Sequence, residues 1–472
     1  MEDKVVIEVA EKLRNLADTS TQDGDWGKRS IYKVAASATA LNKAAYSPQI
    51  VSFGPYHHGR DHLEPMEEHK QRALHYFLKR TCKPLQSLVR SLIKELQVLR
   101  ECYDQLDKSW EEDATRFLQL MILDGCFMLE SLYLNAHPLS DYADNDPVFS
   151  NHGKLYIMPY VRRDMLMLEN QLPMLVLYKL VAVQNNGKED LESVNKLILN
   201  FCSPNMPEAN QGRCLHVLDL YRKSLLTEPE WRYHRIKTHA SRYKDVDDII
   251  RSATELNEAG ISFRKSKSKS LKDISFRHGV LRLPVIIVDD ATEATLLNLM
   301  SLERLHVGLG NEVTSYVFFM DNIIDNERDV ALLHSKGIIQ NAIGSDKAVA
   351  KMFNTLSKDI TLDPDGRLGV IHRHINAYCK KRWNEWRANL VHTYFRNPWA
   401  ILTLIAALIL FALTIAQTVY TILPYYEPTS APPSPPPPVG QPPLPPAPAP
   451  APSAPPTLPP RRFPRPRQPL YH

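Results

Sequence analysis

Four carboxylates lie within apolar helical stretches, where an ionised side chain needs a partner or a function. They are Asp124 and Glu130 in LMILDGCFMLE, and Asp164 and Glu169 in DMLMLENQLP, where Asn170 and Gln171 follow. Burial perturbs the pKa of such groups, and two of them close together could act as a catalytic acid–base dyad. The alternative, which we favour, is that they cap or hydrogen-bond neighbouring helices.

Four histidines close to one another form the second candidate site. They are His57, His58, His62 and His69, and the first two end the run VSFGPYHHG. Zinc binds histidines at helical spacing, but these four lie across a turn and lack an HExxH pattern. We therefore expect surface histidines around a structural turn and no metal site.

Two further motifs could bind partners. The run from Arg264 to Ser270 alternates lysine with serine and could contact anionic lipid, nucleic acid or a kinase. It has no interleaved aromatic residue for base stacking, so a solvated hairpin loop is our prediction and nucleic acid is not expected. Pro456, Pro459 and Arg461 match an SH3 ligand pattern, which dense proline also produces by chance.

Known catalytic signatures are missing from the sequence. It contains no glycine-rich phosphate loop and no GxSxG nucleophile elbow. Six cysteines are scattered without a CxxC pair, which gives no sign of a zinc or redox motif. We expect no enzymatic activity, no catalytic, cofactor or metal site, and no cofactor.

Helical periodicity dominates the chain before residue 391. The pattern predicts one amphipathic helix from Leu85 to Leu99, a central apolar helix over 117–133, and a helical stretch over 158–183 that Pro173 kinks or breaks. Further helices are predicted over 191–201, 216–226, 246–259, 292–305, 314–324, 327–335, 347–357 and 371–390. Alternating and β-branched residues over 261–290 predict a small hairpin or three-stranded sheet.

Residues 399–422, from Trp399 to Ile422, contain no charged residue. About 20 apolar residues cross the core of a bilayer, so we expect one transmembrane helix there. Lys380, Lys381 and Arg382 are among the cations before it, and Glu427 is the first charge after it. The positive-inside rule therefore places the body in the cytosol and the tail outside, with the plasma membrane as the expected location. The N-terminus lacks the apolar region of a signal peptide.

The tail, residues 427–472, is rich in proline; 22 of the chain's 36 prolines occur from Pro424 onward. Such a composition cannot pack a core and predicts polyproline II or disorder. The division that follows is an N-terminal helix and loop over 1–30, a mostly helical domain over 31–390, a juxtamembrane and transmembrane segment over 391–426, and the tail.

Several motifs in order resemble the plant family called domain of unknown function 247. They are VSFGPYHHG at 51–59, LEPME at 63–67 with Lys70, LDGCFMLE at 123–130, DMLMLENQLP at 164–173, NLMSLE at 298–303, and the stretch from Trp383 to Tyr426. The resemblance implies a plant, single-pass, mostly helical membrane protein with no established enzymatic activity. Members in grasses are linked to pollen self-incompatibility.

The tail also resembles plant cell-wall proteins. Residues 434–438, SPPPP, are similar to the extensin repeat, and residues 447–452, APAPAP, are similar to arabinogalactan-protein modules. If the tail is outside the cytosol, hydroxylated and glycosylated prolines could make it a stiff contact with the wall.

Together these patterns favour a predominantly α membrane protein that acts in recognition or signalling through protein partners. An enzyme using Asp124, Glu130, Asp164 or Glu169, and a membrane-to-wall tether built on the tail, are the alternatives.

Overall fold

The computed structural model describes residues 28–136, 141–203, 211–228, 251–358, 366–381 and 398–426. The chain forms two compact units, Met1–Ile401 and Leu402–His472. The helix expected near the N-terminus, residues 382–397 before the apolar helix, and the proline-rich tail with its SH3 and cell-wall motifs lie outside the described residues.

The described part of the first unit is mostly helical, which confirms the predominantly α fold class. Its helices are α1 (Ala36–Leu41), α2 (Pro65–Thr81), α3 (Leu85–Ile93), α4 (Leu96–Glu101), α5 (Lys108–Glu112), α6 (Ala114–Ala136), α7 (Asn151–Tyr156), α8 (Met158–Met165), α9 (Met174–Gln184), α10 (Leu191–Cys202), α11 (Val217–Leu225), α12 (Ala253–Glu258), α13 (Thr292–Leu305), α14 (Glu312–Ile323), α15 (Glu327–Ser335), α16 (Asp346–Leu356) and α17 (Arg367–Cys379).

Helix α6 is the centre of this unit, as its apolar sequence predicts. Fifteen of its residues are buried, and it packs against α2, α9 and α10. Gly125 allows α9 to approach closely, because a Cβ atom there would lie 2.6 Å from Leu180 Cδ1 and 2.9 Å from Val176 Cγ1. The glycine therefore sets the distance between the two helices.

Two small sheets complete the unit. Strands β1 (Ser262–Lys265), β2 (Ser275–Arg277) and β3 (Val280–Leu283) form a three-stranded sheet, with β3 parallel to β1 and antiparallel to β2. This confirms the small β element expected over 261–290. Strand β4 (Ile286–Val288) pairs with β5 (Ile339–Asn341), which the sequence did not predict because a three-residue strand carries no periodicity.

Three predicted helices have the wrong extent. Of the described residues in the helix expected over 246–259, Ser252 is the N-cap and α12 covers only Ala253–Glu258. The helix expected from Leu85 to Leu99 is divided into α3 and α4 at Glu95, whose carboxylate reaches Lys179 of α9 at 3.0 Å. The helix expected over 371–390 begins earlier, at Arg367, and ends at Cys379, where the next residues form a turn before 382. Tertiary contacts and capping, which periodicity does not report, set these ends.

Pro173 separates α8 from α9, as predicted. Residues 166–173 are not helical, and Pro173 takes an extended conformation immediately before Met174. The polar residues of this connection face the inside of the unit, and they form the site described below.

The described part of the second unit is helix α18 (Pro398–Tyr426), of which Leu402 onward belongs to that unit. Its apolar window Ile405–Leu423 is fully exposed, whereas 83% of the corresponding window in Ala114–Ala136 is buried. Length and apolar composition alone make both helices capable of crossing a membrane. Burial identifies α6 as a core helix.

Candidate functional site

Residues 49–54, here called the buried segment, have no regular secondary structure although most of them are inaccessible to solvent. Val51 and Phe53 are completely buried, and their neighbours Ser52 and Gly54 are also buried. A buried backbone without a helix or strand has N–H and C=O groups that need other partners. Side chains from two motifs of the sequence, at 123–130 and 164–173, supply them.

Asp164, at the end of α8, binds the start of the buried segment. Its carboxylate accepts hydrogen bonds from the backbone N–H groups of Gln49, Ile50 and Val51 at 2.9–3.1 Å. Burial raises the pKa of Asp164, and these N–H groups oppose the rise because they stabilise the charged form. One carboxylate therefore fixes the backbone of three successive residues.

Asn170 and Asp124 continue this pattern along the segment. Asn170 donates to the carbonyl of Val51 at 3.0 Å and accepts from the N–H of Phe53 at 2.8 Å. Asp124 accepts from the N–H of Gly54 at 2.8 Å. Gly54 has a φ of 73°, and a Cβ atom there would lie 2.7 Å from the carbonyl oxygen of Gln171. No larger residue fits this position.

Lys70 of α2 is the cation that balances these acids, and it is completely buried. Its ammonium lies 2.6 Å from Glu67, 2.7 Å from Asp124 and 3.1 Å from the hydroxyl of Ser52. An ammonium has three protons to donate, and it has three oxygens in reach. Burial raises the pKa of Asp124, while Lys70 favours its charged form.

Glu169 and His57 form a neighbouring pair. Glu169 accepts a hydrogen bond from the N–H of Val34 at 2.6 Å, and its other oxygen lies 3.4 Å from Nε2 of His57. His57 is buried, which corrects the expectation of four surface histidines. Burial lowers the pKa of His57 to about 3, so the ring is neutral near pH 7, and burial raises the pKa of Glu169.

The other three histidines have separate environments. His58 packs edge-on against Trp110, His62 is hydrogen-bonded to the carbonyl of Pro48, and His69 is bonded to Arg72. In the described ranges, no three His, Cys, Asp or Glu side chains are arranged to hold a metal ion. The sequence places the histidines close together, but the fold does not make them converge.

Glu130 lies further along α6 in a different setting. Arg80 of α2 donates to both of its oxygens, one of them at 2.7 Å, and the hydroxyl of Tyr142 lies at 3.2 Å. Burial raises the pKa of Glu130, and the bond to Arg80 opposes this rise. A buried carboxylate held by a guanidinium ties α2 to α6.

One polar cavity among the described residues has a volume of about 510 Å³ and lies elsewhere. Its wall includes two ion pairs, Lys28–Glu101 and Arg29–Asp104, together with Arg100 and Tyr103. None of the four predicted acids and none of the four histidines lines it. The candidate catalytic groups and the cavity are therefore separate features.

Sequence reasoning identified the acids, but it missed Lys70 as their counter-ion and Gly54 as the point of close approach. Both lie in motifs of the sequence, at 63–70 and 51–59. The sequence did contain a signal of such partners. The apolar helices near the buried segment carry polar side chains that need hydrogen-bond or ion-pair partners outside their own helix. The run from Arg264 to Ser270 forms the end of β1 and the loop after it. It is not the predicted hairpin loop, because β1 and β2 are not neighbours in the sheet and β1 pairs with β3 in parallel.

Comparison with known proteins gives a match over most of the chain. A family model described as a plant protein of unknown function, DUF247, matches residues 31–413. The UPF0481 protein At3g47200 of Arabidopsis thaliana is 30% identical over 430 residues, covering 84% of this chain and 88% of the relative. The putative UPF0481 protein At3g02645 of the same plant is 23% identical, covering 82% and 89%. No solved structure matches.

Proposed function

The chain belongs to the plant DUF247 family of unknown function, and from this premise we propose that it is a single-pass membrane protein acting in recognition or signalling through protein partners. The observation that carries the proposal is helix α18. It is long and apolar, has no charge between residues 399 and 422, and exposes its side chains from Ile405 to Leu423.

The length and surface of α18 support a membrane anchor. A helix of 29 residues is about 43 Å long at ~1.5 Å per residue, and crossing the hydrocarbon core takes about 20 residues. Its exposed residues include Leu408, Phe411 and Ile415. Apolar surface of this extent is unfavourable in water and is covered by lipid in a transmembrane segment.

The flanking charges support an orientation. Cations between Lys380 and Arg396 precede the helix, and Glu427 follows it. On this basis we propose that the body is in the cytosol and the tail outside. The plasma membrane is the location that we propose for it.

The role of the buried acids supports recognition over catalysis. Asp124, Asp164 and Glu169 each bind backbone N–H groups, and Glu130 binds Arg80. A catalytic acid needs a path to a substrate, and these four do not line the 510 Å³ cavity. The neutral His57 beside Glu169 is an observation that favours an enzyme, but the histidine is buried.

The experiment is protease protection of sealed, right-side-out vesicles that carry the full chain with a tag at each end. The proposal predicts that added protease removes the C-terminal tag and spares the N-terminal tag until detergent opens the vesicles. Digestion of the N-terminal tag in sealed vesicles would contradict the orientation. If the chain does not associate with the vesicles and the protease removes both tags, the membrane anchor is contradicted.

Two finer roles remain proposals. The family resemblance leads us to propose recognition in pollen self-incompatibility, which predicts that disruption of the gene lets self-pollen set seed in a self-incompatible plant. The cell-wall tether predicts that deletion of residues 427–472 abolishes function while the body stays folded. Unmodified prolines in the purified tail, found by mass spectrometry, would exclude glycosylated wall contact.

A further inference from the structure

Between Ser262 and Leu283 the chain concentrates positive charge. This stretch contains seven lysines and arginines and one carboxylate, Asp273, whereas the whole chain has a net charge of only +4. The stretch contains the complete three-stranded sheet and the loop between β1 and β2. The concentration therefore belongs to one small structural element.

The strand register places three arginines on one face of this sheet. Arg264 of β1 is aligned with Arg282 of β3, and Arg277 of β2 is aligned with Val280, two residues from Arg282. Side chains alternate along a strand, so all three are on the face opposite to the buried Phe263 and Leu281. Arg264 and Arg277 are exposed and Arg282 is half-buried. We call this the basic face.

The basic face juxtaposes like charges. Neighbouring strands lie about 4.8 Å apart, and like charges directly opposite each other are unfavourable. Within the described ranges, the carboxylate ion pairs near this region go to Lys272, which binds Glu228 and Glu312, and none goes to these three arginines. An external anion would relieve the repulsion between Arg264 and Arg282.

The loop beside the basic face is held in a defined conformation. Asp273 is buried and accepts hydrogen bonds from the N–H and hydroxyl of Ser268 at 3.0 and 2.9 Å. The N–H of Leu271 donates to the carbonyl of Leu225 at 2.9 Å. Asp273 is thus used inside the loop, while Lys267 and Lys269 are exposed. Two more exposed cations therefore lie in a loop that is already ordered, which lowers the entropic cost of binding a surface.

Chain length limits how far this surface can lie from the start of α18. Helix α17 packs on the sheet through Tyr378, whose ring is 5.5 Å from that of Phe276. Only 19 residue steps separate Cys379 from Pro398, which span at most about 65 Å at ~3.4 Å per residue. If α18 crosses the bilayer, the basic face belongs to a body that is covalently tethered to the membrane, which raises its effective concentration at the lipid surface.

We propose that the basic face, together with Lys267 and Lys269, docks on anionic phospholipid headgroups of the leaflet that faces the body. This inference rests on the proposed membrane anchor. Charge complementarity selects the occupant, because the cytosolic leaflet carries negative phospholipids that attract lysines and arginines close to it. The contact would orient the body on the membrane and leave its opposite side for protein partners.

The test is hydrogen exchange of the full chain, followed by mass spectrometry, in nanodiscs of neutral phosphatidylcholine or with 30% phosphatidylserine at about 0.1 M salt. We expect peptides covering 262–283 to exchange at least about fivefold more slowly in the anionic discs than in the neutral ones. The attraction of a single cation to an anionic surface corresponds to about this factor in binding. Raising the salt to about 1 M, where the Debye length is ~3 Å, should remove the difference.

A triple variant and a matched control identify the surface. Arg264→Gln with Arg277→Gln and Arg282→Gln should lose the lipid-dependent protection. Arg328→Gln with Lys347→Gln and Lys351→Gln removes the same charge from exposed positions of α15 and α16 and should keep it.

The outcomes separate the two proposals. Failure of the full chain to enter nanodiscs would refute the membrane anchor. Entry with equal exchange of 262–283 in neutral and anionic discs would overturn the docking surface and leave the anchor intact. Protection that survives the triple arginine variant would also overturn it. The comparison of lipids uses the unmodified chain, so it holds even if the variant folds poorly.

Discussion

The buried pair of Lys70 and Asp124 allows the clearest test of the structural role of the acids. We predict that Lys70→Met lowers the free energy of unfolding by about 3–5 kcal/mol, because it leaves a fully buried carboxylate without its cation. Asp124→Asn should lower the free energy of unfolding by less, about 1–3 kcal/mol. The amide oxygen can still accept a hydrogen bond from the N–H of Gly54, and Lys70 still has its ion pair with Glu67.

The double variant tests whether Lys70 and Asp124 interact. Lys70→Met combined with Asp124→Asn removes both charges, so its loss should be smaller than the sum of the single losses by about 2 kcal/mol. Urea unfolding in mild detergent, followed by tryptophan fluorescence, measures all three variants. Lys79→Met on the exposed side of the same helix is the control and should change stability by less than about 0.5 kcal/mol.

Two results would refute this reasoning. If Lys70→Met is as stable as the Lys79→Met control, the ammonium is not a buried counter-ion. If the single losses simply add, Lys70 and Asp124 do not interact.

Three further predictions concern packing, pH and the basic face. Gly125→Ala should destabilise the body by about 1–3 kcal/mol in the same assay, because its methyl group would overlap α9. Burial lowers the pKa of His216 to about 4, so the unfolded chain binds a proton below about pH 6.5 that the folded chain does not, and stability falls as the pH drops. When the pH falls from 7 to 5, the free energy of unfolding of His216→Asn should therefore decrease by about 2 kcal/mol less than that of the unchanged protein. An equal decrease in the two proteins would contradict this prediction. Arg264→Gln should stabilise the protein without lipid by about 0.2–1 kcal/mol in urea unfolding, and a loss of stability would argue against repulsion with Arg282.

Periodicity predicted the helical class because apolar residues at helical spacing report directly which face is buried. The central helix over 117–133 was predicted for this reason, the break at Pro173 from the missing N–H of proline, and the small sheet from its β-branched runs. Glu95, where the predicted helix divides, is ion-paired with Lys179 of another helix, and the pairing of β4 with β5 joins residues about fifty positions apart. Neither leaves a local pattern.

The candidate site shows a similar limit. The acids were visible because a charge in an apolar helix is conspicuous, but their partners are mostly backbone N–H groups of the buried segment. Backbone groups are present at every residue, so sequence alone does not indicate which of them need an acceptor. The burial of His57 beside Glu169 was missed for the same reason, because it follows from how residues 49–59 pack.

Alkaline carbonate extraction of cell membranes that contain the full chain tests the proposed membrane anchor most directly. The anchor predicts that the chain stays with the pelleted membranes. Leu408→Arg with Phe411→Arg and Ile415→Arg should release it, since each arginine in the middle of a span costs about 2.5–3.5 kcal/mol. The matched alanine variant at the same three positions should remain in the pellet. Recovery of the unmodified chain in the supernatant would contradict a membrane-spanning α18.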